Sequence, residues 1–293
     1  MTELSSKRVV ISGASRGIGL AIAKKLAAYG ASIAILAKTD EPHPKLPGTI
    51  HTAAEEIESA GGRALPIVTD IRSEDQVRAA ISEVTRVFGG IDCCINNASA
   101  ISLTPTAKTQ MKRFDLMFDV NVRGTFLLTK ECIPHLSKGI NPHVLNISPP
   151  LDMNAKWFAP NVAYTMSKFG MSLCVLGMST ELKKLGIAVN ALWPHSVIAT
   201  AAISNVVGGM SMLGHCRKPE IMADAAAAVL TKDSTKFSGN FCIDDIVLSD
   251  EGIKDFDTYR VDASKTLWSD FFIPSGTPQV EELVFAIDPG QAL

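Results

Sequence analysis

Short β-branched runs alternate with amphipathic stretches along most of this chain. Residues 8–12 open the series with Val, Val and Ile in succession, a strand pattern. Residues 18–29 carry apolar positions at helical spacing and stop at Gly30. The alternation continues with a strand over 32–37, a helix over 49–60 and a strand over 65–70. A helix over 73–88, where Ser73 and Gln76 fit a capping box, and a strand over 91–95 follow. A long helix is predicted over about 108–136, a strand over 143–147, a second long helix over 162–185 and a strand over 187–193. A helix over 219–230 and a strand from Asn240 complete the pattern. Strands separated by helices predict βαβ units. The expected fold class is therefore α/β, a doubly wound parallel sheet of Rossmann type with helices on both faces. Ligands of such sheets bind outside the carboxyl ends of the strands.

Two stretches depart from that rhythm. Residues 38–48 form a proline-containing loop, and residues 249–293 show no helical period. The predicted organisation is one dinucleotide-binding domain over 1–248 that includes the catalytic site. An irregular C-terminal extension over 249–293 is expected to pack on the same domain.

The length of 293 residues and 46% hydrophobic content suit one large α/β domain. A formal charge of -2 supplies no basic field for nucleic acid. The six cysteines form no C-x-x-C pair and read as buried reduced thiols. The six histidines form no H-E-x-x-H spacing, so no metal is expected. No signal-peptide core precedes the first strand, no apolar run is long enough to span a bilayer, and Gln291-Ala-Leu293 is not an S-K-L address. The expected location is the cytoplasm.

Gly13-Ala-Ser-Arg-Gly-Ile-Gly19 follows a strand and opens a helix, the context a dinucleotide site needs. Gly13, Gly17 and Gly19 permit a tight turn and close backbone approach. With Ser15, Arg16 and Ile18 they form the expected cradle for a pyrophosphate at the helix N-terminus. The alternative is a plain glycine-rich turn. An NAD site places a carboxylate at the end of the second strand, on the ribose 2′-hydroxyl. Here Ala37-Lys-Thr39 stands there, with no carboxylate before Asp40. Arg16 and Lys38 predict a clamp on a 2′-phosphate, so NADP is expected over NAD; two solvated surface charges are the alternative. Asp70 and Asn97 sit at strand ends and are assigned to cofactor binding. A helix-entry role competes for Asp70.

Tyr164-Thr-Met-Ser-Lys168 puts an amine on the same helix face as a phenol. Tyrosine is a poor acid at neutral pH, and the charge of Lys168 is expected to lower its pKa. Ordinary helices often carry Y-x-x-x-K. Paired with the glycine loop it points to hydride transfer. Ser148, at the end of the fifth strand, is placed to donate to a substrate oxygen beside Tyr164; a turn serine before Pro149-Pro150 is the alternative. Asn121 lies in a predicted helix, where an amide is unfavourable. It is expected either to hold a relay water or to be a buried structural amide.

In this order, the glycine loop, Asn96-Asn97-Ala98, Asn121, Ser148 and Tyr164-x-x-x-Lys168 resemble the short-chain dehydrogenase/reductase family over about residues 7–244. Residues 37–39, 42–45, 97–103, 146–150 and 191–194 resemble its hydroxysteroid dehydrogenase-like branch. The resemblance implies that Tyr164 is the general acid/base, that Lys168 lowers its pKa and binds the nicotinamide ribose, that Ser148 positions the carbonyl, and that Asn121 supports a relay water. It also implies that the two long helices pair between subunits, as a homodimer or homotetramer; the alternative is that they cover only their own sheet. Departures from the family pattern are Ser99 for the usual glycine, the wide spacing of Ser148 and Tyr164, His195 after Pro194, and Thr200 one place late. The segment 149–160 is expected to line the substrate site, and Trp157, Phe158, Trp193 and residues 205–213 an apolar pocket. The function so read is NADP-dependent interconversion of a carbonyl and an alcohol, on a lipophilic small molecule. A cofactor-binding sensor or scaffold and an enoyl-type reductase are the alternatives.

Overall fold

A computed structural model describes residues 4–284, apart from 45, 202 and 204–209. Its centre is a seven-stranded sheet of β1 (Arg8–Ser12), β2 (Ser32–Ala37), β3 (Arg63–Val68), β4 (Cys93–Asn96), β5 (His143–Asn146), β6 (Ala188–Trp193) and β7 (Phe241–Ile243). All six pairings are parallel, in the order β3-β2-β1-β4-β5-β6-β7. The order reverses between β1 and β4, and the crevice at their carboxyl ends is the binding place of this architecture.

Alternation along the strands builds a layer on each face. Val9, Ile11, Ile33 and Ile35 face one core with α1 (Gly17–Ala28), α2 (Ile50–Ser59) and, further along the chain, α8 (Glu220–Thr231). Val10, Ala34, Leu36 and Cys94 face the other, with α3 (Glu74–Phe88), α5 (Gly124–Leu136) and α7 (Val162–Glu181). Each such aliphatic side chain contributes about 1.5–3 kcal/mol by leaving water. Helix α2 gains a reciprocal capping box between Thr49 and Thr52. At α3 the box is half formed: Ser73 Oγ accepts from the Gln76 N–H, but the Gln76 side chain turns to the Asp70 N–H. Among the described residues no helix is long and apolar enough to cross a membrane.

Several predicted elements change. The helix predicted over 108–136 is a 3₁₀ turn at Thr106–Lys108, then α4 (Met111–Met117), then a π turn at Phe118–Arg123 running into α5. The wide turn carries Asn121 inward, where it is fully buried. The helix predicted to 185 ends as α-helix at Glu181 and finishes as a 3₁₀ turn over Leu182–Leu185, closed by Gly186 at φ 69°. Strand β3 ends at Val68, so Asp70 lies in the loop beyond it. Between β5 and α7 the short helix α6 (Ala155–Phe158) is inserted.

The stretch after β7 has more order than its composition predicts. Helix α9 (Asp244–Asp250) and a 3₁₀ turn at Asp257–Tyr259 precede two short strands, β8 (Leu267–Trp268) and β9 (Leu283–Val284), which pair in parallel. Residues 285–293 lie outside the described residues. Phe272, just after β8, is 2% exposed. Its ring meets those of Trp157 at 5.8 Å, Phe169 at 5.4 Å, Trp193 at 5.9 Å and Tyr164 at 6.1 Å. Truncation of a ring so buried costs about 3–5 kcal/mol. Phe272→Ala is therefore expected to lower the unfolding free energy by about that much in denaturant titrations. A loss under about 1 kcal/mol would show that the extension adds nothing to the stability of the core.

Candidate active site

The turn between β1 and α1 is tight because two glycines are left-handed, Gly13 at φ 70° and Gly17 at φ 57°. A Cβ on Gly13 would stand 2.8 Å from Ala98 Cα, and one on Gly19 2.4 Å from Asn97 Nδ2. Asn97 donates to the carbonyls of Ser12 and Gly13, both at 3.0 Å. Asn97 thus shapes the glycine turn, and both its amide protons are committed there. At the N-terminus of α1, Arg16 makes no side-chain cap, whereas α2 and α3 are capped by Thr49 and Ser73. The first N–H groups of α1 remain open to an anion, so the residues present fit a pyrophosphate group.

At the end of β2, Arg16 donates to Thr39 Oγ1 at 2.9 Å and to the Gly48 carbonyl at 3.1 Å. Lys38 is more exposed and its Nζ stands 3.8 Å from Asp70 Oδ2. Asp70 is held by Arg72 at 2.6 Å, and that hydrogen bond draws its carboxyl down to about 2. The cations predicted from the sequence are together, with a permanently ionised carboxylate beside Lys38.

One cavity of about 1430 Å³ joins these residues to the far end of the crevice. Gly13, Ser15, Arg16, Gly17 and Ile18 line one end of it, and Tyr164, Lys168 and Trp193 the other. Lys38, Asp70 and Asn97 also line it. Lys168 is 2% exposed. Its Nζ donates to the Ile147 carbonyl at 2.7 Å, meets Met171 Sδ at 3.4 Å and lies 4.9 Å from the centre of the Trp193 ring. Burial pulls its ammonium down to about 7, against the charge of Asp270. Tyr164 shifts opposite to the expectation: burial, then the charge of Asp270, pushes its phenol up. A lysine so close to neutrality, bonded to a carbonyl, gives the phenol little positive field. Tyr164 is thereby kept protonated near neutral pH.

Ser148 and Asn121 stand behind this surface and do not line the cavity. Ser148 Oγ is fully buried and has no hydrogen-bond partner among the described residues. Asn121 accepts from the Ala100 N–H at 2.7 Å and donates to the Ala100 carbonyl at 3.0 Å and Ser167 Oγ at 2.9 Å. Its side chain is a clamp between the β4 loop and α7, so no amide proton is left for a relay water.

The segment 149–160 was expected to line the substrate site and does not. Trp157 Nε1 donates to Asp152 at 2.8 Å, and Phe158 packs edge-on to Phe169 at 5.2 Å. These rings belong to the same buried cluster as Tyr164, joined to it through Phe272, whose ring meets those of Trp157, Phe169 and Tyr164. Ile101, Leu103, Leu116, Trp193 and Phe271 supply the apolar wall. Of the segment 205–213, Leu213 lines the cavity, and residues 205–209 lie outside the described residues. Sequence reading missed Asp270 and Phe271, which also line the cavity. Their one signal was an apolar Phe271-Phe272 pair in an aperiodic stretch.

The unusual His195 anchors that stretch. Its Nδ1 lies 2.9 Å from Asp245 Oδ1, its N–H donates to Asp244 at 2.9 Å, and its carbonyl accepts from the Asp270 N–H at 2.9 Å. Arg217, fully buried, donates to Asp245 at 2.8 Å and also binds Glu281.

The sequence pattern of the short chain dehydrogenase family matches residues 7–209. The chain belongs to that family. Short chain dehydrogenases are oxidoreductases of CH–OH groups that bind nicotinamide cofactors. The chain is 54% identical over 282 residues to hydroxysteroid dehydrogenase-like protein 2 of Danio rerio, covering 96% of this chain and 66% of that one. To the protein of that name in Homo sapiens it is 54% identical over 271 residues, 92% of this chain and 64% of that one. It therefore spans about two thirds of the length of these curated relatives. The crystal structure of a short chain dehydrogenase from Mycobacterium thermoresistibile superposes with a TM-score of 0.88 at 50% identity, covering 94% of this chain and 98% of that one.

The depressed Lys168 ammonium has a consequence for stability. Unfolded, the amine holds its proton to about pH 10.4; folded and without cofactor, it releases it near 7. Between these values the unfolded state binds more protons, so this group makes stability rise with pH. The unfolding free energy of the wild type minus that of Lys168→Met is expected to increase between about pH 7 and pH 9 in denaturant titrations. A difference that is flat with pH contradicts the assigned environment.

Proposed function

We propose that this protein is an NADP-linked oxidoreductase that interconverts a carbonyl and an alcohol on a lipophilic small molecule. The observation that carries this reading is the single cavity with an open helix N-terminus at one end and Tyr164 with Lys168 at the other. A bound nicotinamide supplies or accepts the hydride. In reduction, the Tyr164 hydroxyl gives its proton to the carbonyl oxygen as negative charge develops there. Ser148, whose buried hydroxyl lacks a partner among the described residues, is assigned to hydrogen-bond that oxygen once substrate draws it in. Lys168 is assigned to the nicotinamide ribose and to reloading the proton on Tyr164. Asn121 positions α7 through Ser167.

NADP over NAD is supported by Lys38 and Arg16 at the end of β2 and by the absence of a carboxylate before Asp40. A lipophilic substrate is supported by the apolar wall of Ile101, Leu103, Leu116 and Phe271. The reading treats residues 1–248 as the dinucleotide-binding domain and 249–293 as its extension. A homodimer or homotetramer is supported by Phe126 on α5 and Met166, Leu173 and Leu176 on α7, apolar side chains exposed on the two helices. A cytoplasmic setting is supported by six cysteines, none of them in a disulfide among the described residues.

Steady-state turnover of a lipophilic ketone with NADPH and with NADH tests the reading. NADPH should be preferred by about tenfold or more, and Lys38→Ala should remove most of that preference. Tyr164→Phe should lower kcat by at least about a hundredfold. Equal use of both cofactors in wild type and Lys38→Ala contradicts the cofactor assignment, and undiminished turnover in Tyr164→Phe contradicts the proton donor.

A further inference from the structure

The extension brings a carboxyl group into the end of the cavity that holds Tyr164 and Lys168. Asp270 lines that cavity together with Phe271, and its charge acts on both Tyr164 and Lys168. The turn that carries it is fixed on three sides. The Asp270 N–H donates to the His195 carbonyl at 2.9 Å. Trp193 Nε1 donates to the Phe271 carbonyl at 2.8 Å. Phe272 is buried against the rings of Trp157, Tyr164, Phe169, Trp193 and Phe271 at φ 68°, a conformation unusual for a bulky side chain. Asp270 Oδ1 accepts from the Phe271 N–H at 2.6 Å. Its Oδ2 has no hydrogen-bond partner among the described residues.

Of the other carboxyl groups on the cavity wall, Asp70 is answered by Arg72 and Asp224 by Lys25 at 2.7 Å, while Glu220 is exposed to water. Asp270 instead shares the wall with the apolar residues Trp193 and Phe271 and has no ion pair among the described residues. A negative oxygen in such a wall accepts a hydrogen bond from a neutral donor and repels another carboxylate, and both effects are strong where water is scarce. A site built to bind a donor also discriminates sharply against ligands that leave its acceptor unpaired.

We propose that Asp270 is a specificity-determining residue of the reaction chamber, selecting lipophilic carbonyl or alcohol substrates with a second hydrogen-bond donor, a hydroxyl or amide N–H, and excluding free oxo-acids. This rests on the chamber being the substrate site. Burial, then the charge of Asp244, pushes the Asp270 carboxyl up to about 7, against the Phe271 N–H and Lys168. Selection against a carboxylate is therefore strongest on the alkaline side of neutrality.

The test uses the full chain with saturating NADP at about pH 8, where a carboxyl of this pKa is ionised. Three 2-alkanones of equal length, ending in a methyl, hydroxyl or carboxylate group, are titrated against tryptophan fluorescence, since Trp193 lies on the chamber wall. The hydroxyl ketone should bind tightest, and the carboxylate ketone about tenfold or more weaker than the methyl ketone. Asp270→Asn keeps an oxygen for the Phe271 N–H. It should bring the carboxylate ketone within about threefold of the methyl ketone and change the methyl ketone less than about twofold. Asp270→Ser keeps such an oxygen too and should give the same result should the amide disturb the turn. A carboxylate-to-methyl ratio unchanged in both variants, or a wild type that binds the carboxylate ketone tightest, overturns the proposal. NADPH-dependent turnover of the same ketones separates the two readings: the predicted binding order without turnover supports the role of Asp270 and counts against the reductase, and no binding of any ketone overturns both.

Discussion

The structure depends on keeping one amine out of water without giving it a counter-ion. Lys168 is held by a carbonyl, a thioether and the face of an indole. Each stabilises an ammonium less than a carboxylate would, so burial prevails and the group sits near neutrality. Placing it there requires Ile147 to follow directly on the end of β5, α7 to carry Lys168 against its carbonyl, and Trp193 to close β6 facing the cavity. Tyr164, one helical turn earlier, shares the same dry environment and stays protonated. The protonation states of both groups are thus set by the same desolvation.

The aromatic packing behind Tyr164 maintains that dryness. Phe272 sits among Trp157, Phe169, Trp193 and Tyr164, and its backbone conformation carries a strain of about 1–3 kcal/mol that such packing offsets. The strap bearing Phe272 is tied through His195 to Asp244 and Asp245, and the neighbouring Arg217 binds both Asp245 and Glu281. His195, which departs from the family pattern in sequence, is the residue on which the extension hangs. The last part of the described chain forms a wall of the chamber.

The sheet was legible in the sequence because strands buried on both faces leave near-continuous apolar runs, as in residues 32–37 and 187–193. The glycine loop was legible because close approach to Ala98 and Asn97 leaves room for no side chain. The π turn at Asn121 was not: one extra residue per turn does not disturb an apolar periodicity read over a long window. The sign of the Tyr164 shift was not legible either, because i, i+4 spacing says which groups are neighbours and nothing about their solvation. Trp157 and Phe158 read as pocket residues because an aromatic core and an aromatic pocket have the same composition. Asp270 lies far along the chain from Tyr164 in an aperiodic stretch, and nothing local marks it as a neighbour.

The environment of Lys168 can be read directly by following the Cε resonance of lysine labelled with carbon-13 through a pH titration of the cofactor-free protein, assigned with Lys168→Arg. The account predicts a midpoint near pH 7 for this one lysine. A midpoint near the ordinary lysine value of about 10.4 would contradict it, since the amine would then be a charged group in water or in an ion pair.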